Sequence, residues 1–298
     1  MSKVLITGGT GAIGRQLIAR LLSIQWQVNV VGRSQYSDLP EGCNYYMWDL
    51  AKMEMPQESI EGVTHLVHLA GAGIAEERWS DRRKVEIRDS RVTPILLISK
   101  TLREAGIKLD CVVSASGVGY YGAITNSNIY RETNQAHGDF LGRTCHAWEN
   151  SISYLSDATT REVRLRTGIV LMNGKGALQK LQLPAKFGLG SALGSGKQWV
   201  PWIHIDDLVQ LYEKALSDSG LSGPINAVAP DFITQANLSR TINKVLSRPN
   251  ILPNVPRALL KMSLGEMSEL ILEGSRVSPE RLLKTGFKFR FGELELAL

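Results

Sequence analysis

The sequence predicts an α/β protein built on a doubly wound parallel sheet, with a smaller lobe toward the C-terminal end. Three observations point there. Over residues 1–170, apolar runs of strand length alternate with segments whose apolar residues recur at helical spacing. The first run passes directly into a glycine-rich turn that opens a helical segment. Beyond about residue 170 the alternation yields to glycine- and proline-marked stretches such as "KFGLGSALGSGKQW" and "RPNILPNVP".

"KVLITGG" is a short apolar run ending in glycine, a buried strand. "GAIGRQLIARLLSI" carries Ile13, Leu17, Leu21 and Ile24 at helical spacing. "QVNVVGR" predicts the second strand, "YYMWD" the third and "THLVHLAG" the fourth. Residues 80–105 form a long helix, with Val85, Ile87, Val92, Leu96 and Ile98 as its apolar positions. "DCVVSAS" is the fifth strand, and "REVRLRTGIVL" the sixth with its exit. Between them lies a helix in which Leu141, Cys145, Trp148, Ile152 and Leu155 make one apolar stripe. Strands alternating with helices give a parallel sheet wrapped on both faces, the Rossmann arrangement, with ligands at the carboxyl ends of the strands. The predicted nucleotide-binding unit covers residues 1–170. Residues 171–298 are mainly the substrate lobe, with 204–230 returning to the first unit.

The 298 residues carry a net charge of +5, too small and too dispersed to predict a nucleic-acid partner. No run approaches the roughly 20 apolar residues of a membrane span, so no membrane partner is expected. "MSKVLITGG" lacks the pattern of a secretory leader, and three scattered cysteines, Cys43, Cys111 and Cys145, do not make a disulfide framework. These features predict a cytoplasmic protein, a monomer or homodimer, acting on a small molecule.

Residues 7–14 read "TGGTGAIG", placing Gly8, Gly11 and Gly14 at Gly-x-x-Gly-x-x-Gly spacing between a strand and a helix. Glycine lets the backbone approach a pyrophosphate, and the helix start offers unsatisfied N–H groups and a positive dipole end. Thr10 and Ile13 fall within the same cradle. A cofactor with a free ribose 2′-hydroxyl usually meets an acid at the end of the second strand. Here that place holds Gly32, Arg33 and Ser34. A guanidinium and a hydroxyl suit a 2′-phosphate, so the expected cofactor is NADP(H). Arg33 can equally be read as a solvated loop residue. His204, Asp206 and Asp207 are close in sequence, but no second histidine stands at ligand spacing. No metal is expected, and Asp206 or Asp207 is read as a helix cap.

The chain resembles the extended short-chain dehydrogenase/reductases, and more narrowly their atypical "epimerase family" subgroup, the YfcH-like proteins. "TGGTGAIG" and "HLAG" (68–71) are general to the superfamily. More specific are "RW" (78–79), "KVEIRDSR" (84–91), "SASGVGYYG" (114–122), "CHAWE" (145–149), "RTGIVL" (166–171) and "GLGSALGSGKQWVPWIHIDDL" (188–208). The resemblance covers nearly the whole length. It implies an NADP-type cofactor and an oxidoreductase or nucleotide-sugar-epimerase-like activity on a small polar substrate. It also implies contacts from Leu69, Ala70 and Gly71 to the adenosine and ribose, and from Ile169 to the nicotinamide amide. Glu86 would hold a ribose hydroxyl, and Arg91 a cofactor phosphate or a substrate anion. Read from charge pattern alone, both belong to a solvated helix face.

Ordinary members carry Tyr-x-x-x-Lys on the helix after the fifth strand; here those positions are Leu141 and Cys145. Leucine moves no proton. Cysteine on an apolar stripe behaves as a small hydrophobe. The resemblance implies that Glu149 pairs with Arg166 to lock helix to sheet. Ser116 is the candidate to orient a substrate carbonyl, or it caps local backbone. Tyr121 is the candidate proton donor, or an aromatic wall of the site. Lys197, Gln198, Trp199 and Trp202 are candidate substrate contacts on a glycine-flanked loop, or anchors of the lobe. A cofactor-binding sensor without turnover is the alternative to an enzyme.

Overall fold

The computed structural model describes residues 2–36 and 38–298. The first half runs β1 (Lys3–Thr7), α1 (Ala12–Ser23), β2 (Gln27–Gly32), β3 (Cys43–Met47), β4 (His65–His68), α2 (Asp81–Glu104), β5 (Cys111–Gly117), β6 (Ile129–Tyr130) and α3 (Phe140–Ser151). The second runs β7 (Glu162–Thr167), β8 (Ile169–Leu171), α4 (Gly176–Lys186), β9 (Trp202–His204), α5 (Ile205–Ser217), β10 (Gly223–Ala227) and α6 (Gln235–Val245). It closes with α7 (Arg257–Leu264), α8 (Glu269–Leu272), β11 (Arg276–Val277), α9 (Glu280–Lys284) and α10 (Leu294–Ala297).

Seven strands form one parallel sheet in the order β10-β7-β5-β4-β1-β2-β3. The strand order reverses at β1, so the crevice for a ligand opens between the carboxyl ends of β1 and β4. Register fixes what stands there. Thr7 lies opposite both Val31 and His68, His68 opposite Ser114, and Ser116 opposite Arg166. Helices cover both faces, so the central strands are buried along nearly their whole length rather than on alternate residues. On one face Leu17, Ile18 and Leu21 of α1 pack with Leu208 and Tyr212 of α5. On the other, Ile95, Ile98 and Leu102 of α2 pack with Ile152 and Leu155. The lobe has its own core around Leu178, Trp202, Leu238, Ile242 and Leu294.

Three local expectations change. The buried face of α2 runs through Ile87, Arg91, Ile95, Ile98 and Leu102, and Val85 is exposed. A basic residue therefore lies on the inner stripe that an apolar count passes over. The sixth strand breaks at Gly168, where a Cβ would lie 2.6 Å from the Pro201 carbonyl oxygen. The chain there leaves the sheet, and β8 pairs with β9 instead. The cap of α5 is His204, whose Nδ1 accepts from the Asp206 N–H at 3.2 Å, and not an aspartate. Asp207 is instead fully buried, accepting from the N–H groups of Arg290 and Phe291 at 2.7 and 3.0 Å. It ties the C-terminal segment to the sheet side of the molecule.

Candidate cofactor cleft

The turn after β1 is closed by the Gly11 N–H donating to the Gly8 carbonyl at 3.0 Å. Gly8 has φ +70°, and a Cβ on it would lie 2.7 Å from the Leu69 carbonyl carbon. A Cβ on Gly14 would lie 2.6 Å from both the Gly8 oxygen and the Gly9 Cα. The loop is thus pressed against the β4 exit and against its own helix. Among the described residues no side chain caps the start of α1, and no acid lies in its first turn. Its leading N–H groups and dipole remain available to an anion.

Behind this loop lies a polar knot. The His68 ring bonds Thr7 Oγ1 at 2.8 Å and the Arg91 carbonyl oxygen at 2.9 Å. A carbonyl only accepts, so Nε2 carries the proton and the Thr7 hydroxyl donates to Nδ1. Thr7 Oγ1 in turn accepts from the N–H groups of Leu69 and Ala70 at 3.2 and 3.1 Å. One buried imidazole therefore joins the phosphate-type loop to α2. Burial lowers its pKa from 6.5 to about 4. The folded protein holds it neutral, while the unfolded chain takes up a proton below pH 6.5. Its contribution to stability is complete above that pH and is lost as pH falls toward 4. A loss of about 3 kcal/mol across this window is expected. Denaturant titrations at several pH values check it, and in His68→Asn the slope between pH 6.5 and 4 should flatten.

A cavity of about 860 Å³ opens from the loop toward the lobe. Ile13, Arg91 and Ile169 line it, as do Gln198 and Trp199. Arg91 is buried, stacks 4.8 Å over Trp148 and donates to the Ile87 and Ala72 carbonyls at 2.6 and 3.1 Å. No carboxylate pairs with it among the described residues, and burial lowers its pKa. Leu141 and Cys145 also line the cavity, at the positions of the usual Tyr and Lys. Burial pushes the Cys145 thiol up to about 11, which leaves it an inert apolar wall at neutral pH. A second hollow of about 700 Å³ lies where β2 and β3 end, lined by Arg33, Trp48, Asp49, Leu50 and Met55 among others. Ser34 is exposed beside it, and Gly32 packs under the Tyr45 ring.

Other candidates stand elsewhere. Glu86 is half exposed and bonds Arg83 at 2.9 Å on its own helix. Lys197 is exposed outside the cavity, and Trp202 is in the lobe core. Ser116 donates to Glu149 Oε1 at 2.8 Å. Tyr121 is 1 % exposed, donates to Asn226 Oδ1 at 2.6 Å and accepts from Arg166 Nη1 at 3.0 Å. Burial pushes its hydroxyl up to about 12, against the opposing effect of Arg166. Both hydroxyls belong to a buried network centred on the bidentate Arg166–Glu149 pair, with bonds of 2.8 and 2.9 Å. Although burial opposes the Arg166 charge, Glu149 and Tyr121 raise its pKa. Alternation along β5 explains the outcome, since Gly117 faces the cavity and Ser116 the opposite side.

The residue reading passed over His68, Asp49, Thr167 and the C-terminal wall of the cavity, Glu269–Ser275. "HLAG" and "WDL" sit at strand ends and mark two of these positions. Nothing in the linear pattern places residues 269–275 beside residue 119. Of the cavity carboxyls, Glu76 pairs with Arg83 at 3.3 Å and Glu273 is bound to Arg257 and Thr125. The Glu269 carboxyl has no hydrogen-bond partner among the described residues, and burial followed by the nearby Glu266 and Asp139 holds it above the ordinary carboxyl range.

Fold and cleft together define a doubly wound dinucleotide-type protein whose second lobe roofs the crevice. Residues 4–146 match the NAD dependent epimerase/dehydratase family, and residues 255–298 match a domain of unknown function, DUF1731. The chain is 32% identical to the epimerase family protein YfhF of Bacillus subtilis, over 99% of this chain and 96% of that protein. It is 34% identical to a chloroplastic SDR39U1 homolog of Arabidopsis thaliana, over 99% and 85%. The crystal structure of human epimerase family protein SDR39U1 with NADPH superposes with a TM-score of 0.88 at 33% identity, covering 99% of this chain and 97% of that one. The chain belongs to the epimerase family, an atypical branch of the short-chain dehydrogenase/reductases. Among the described residues no helix is long and apolar enough to cross a membrane.

Proposed function

We propose that the protein binds NADP(H) and works as an oxidoreductase or epimerase-like enzyme on a small carbonyl compound. One juxtaposition carries the reading. A phosphate-type loop with no room for a side chain at Gly8 or Gly14 faces a roofed cavity, and β2 ends in Arg33 and Ser34 without an acid. The loop N–H groups and helix start suit the pyrophosphate, Arg33 and Ser34 the 2′-phosphate, and Ile169 the nicotinamide side. The NADPH in the human relative's structure supports the same choice. When bound, the nicotinamide supplies or accepts a hydride.

Ser116 and Tyr121 are positioning residues in this reading, because their hydroxyls are committed to the Glu149–Arg166 network. Arg91 holds an anionic group, and Glu269 is the cavity carboxyl able to carry the proton. The substrate end is walled by Leu181, Leu193, Leu238, Leu270 and Ile271, and the amides of Gln198 and Gln235 are taken by local partners. An apolar body suits this wall better than the small polar substrate expected from the sequence. A second reading, a sensor without turnover, rests on Leu141 and Cys145 in the proton-transfer positions.

Titration of NADPH and NADH by nicotinamide fluorescence tests the assignment. Arg33→Ala should weaken NADPH binding about 10–100-fold, the worth of one charge-assisted contact, and leave NADH binding unchanged. Equal losses for both cofactors would remove Arg33 from the 2′-phosphate site. NADPH consumption against a panel of apolar carbonyl compounds separates enzyme from sensor.

A further inference from the structure

Two stretches make up much of the lobe, residues 168–205 and 232–265. Together they hold nine Lys and Arg and no Asp or Glu. The rest of the chain carries 25 basic residues against 29 acidic ones, so the modest net charge conceals two one-signed stretches. Exposed carbon is concentrated there too. Of fourteen exposed large hydrophobic residues among those described, nine lie in these two stretches.

Six of the nine meet at one tip. α4 ends at Lys186, and the chain wraps back with the Leu189 N–H donating to the Pro184 carbonyl at 2.9 Å. Asn243 near the end of α6 then binds both following turns, donating to the Gly190 carbonyl at 3.0 Å and to Asn250 Oδ1 at 2.9 Å. These bonds bring the segment carrying Leu183, Phe187 and Leu189 beside the one carrying Val245, Ile251 and Leu252. Phe187 is 74% exposed and Ile251 81%, so these side chains project rather than line a groove. Lys186, Arg240, Lys244 and Arg248 lie on or next to the same segments and are exposed. Lys244 pairs with Glu295, and the other three make no ion pair among the described residues.

We propose that this tip docks the protein on a membrane surface rich in anionic phospholipid. Projecting apolar side chains accompanied by Lys and Arg suit a bilayer boundary, where the carbon enters the acyl region and the cations meet headgroup phosphates. A nucleic acid would satisfy the cations and leave Leu189 and Ile251 in water. A second copy seated tip to tip would oppose like charges. Docking of this kind needs no spanning helix and is independent of the cofactor assignment.

Flotation of the full chain with vesicles tests it. The protein should float with vesicles of equal phosphatidylglycerol and phosphatidylcholine at about 0.1 M salt, and remain at the bottom with phosphatidylcholine alone. The double variant Lys186→Glu/Arg248→Glu should lower the partition coefficient at least about 25-fold. Phe187→Ser/Ile251→Ser should lower it on the same vesicles, and both variants should melt as the wild type does. Failure of the wild type to float with phosphatidylglycerol would overturn the proposal, as would flotation unaffected by either variant. Single-stranded RNA binding that the charge variant abolishes, with vesicles ignored, would assign the tip to nucleic acid instead.

Discussion

Gly14→Ala is expected to weaken NADPH binding about 10–100-fold. The added methyl would stand 2.6 Å from the Gly8 oxygen and the Gly9 Cα, both backbone atoms of the loop itself. Neither can rotate aside as a side-chain tip would. Either α1 slides away from the sheet or the loop opens, and each displaces the N–H groups proposed to face the pyrophosphate. Overpacking of a tight site costs about 1–3 kcal/mol, which sets the expected loss of affinity. The fold should survive, since α1 keeps Leu17, Ile18 and Leu21 in the core. Fluorescence titration with NADPH, beside a thermal melt, reads both quantities. Unaltered affinity in a folded variant would show that the cofactor does not sit on this loop.

Glu149→Ala should be the most destabilising single change in the buried network. Arg166 is 3% exposed at its side chain and would lose both carboxylate bonds. Its remaining acceptors are Tyr121 Oη at 3.0 Å and the Glu132 carbonyl at 3.2 Å. An uncompensated buried guanidinium costs about 3–5 kcal/mol. The double variant Glu149→Leu/Arg166→Met should recover much of that loss, because no charge is left without a partner. Denaturant unfolding of the single and double variants checks it. A loss under about 1 kcal/mol in Glu149→Ala would mean that water reaches Arg166, and the network would not be the lock described above.

Much of the nucleotide half was legible because strand-ending glycines and helical spacing are local properties. The phosphate-type loop could be placed from eight residues for the same reason. The Glu149–Arg166 pair followed from the resemblance. The roles of Ser116 and Tyr121 were harder, since they depend on which side of β5 each residue faces where the strand passes into the next turn. Gly117 takes the cavity side and turns Ser116 toward α3. The following turn then carries Tyr121 under β7 and β10, where Asn226 Oδ1 accepts its hydrogen bond. Arg91 was reached through the resemblance and not through the helix pattern. A helix face is read from its apolar residues, and here the inner stripe contains a cation. The lobe was least legible, because its charge and its exposed carbon appear only when two distant stretches are brought together.

The cavity wall formed by Glu269–Ser275 has a consequence for biosynthesis. It is made about 260 residues after the phosphate loop it faces. β11, just beyond it, pairs with β6, which follows β5 closely, and Asn226 donates to the Ser278 carbonyl at 3.0 Å. The earlier strands and helices can assemble while the chain is still being made, as N-terminal segments generally do. The crevice they form stays open on one side until the last stretch returns. A nascent chain of this protein would therefore hold a formed cofactor loop while its cavity still lacked a wall. Contacts of such sequence separation are slow to close, and until they do, Leu141 and Trp199 stay uncovered and available to chaperones.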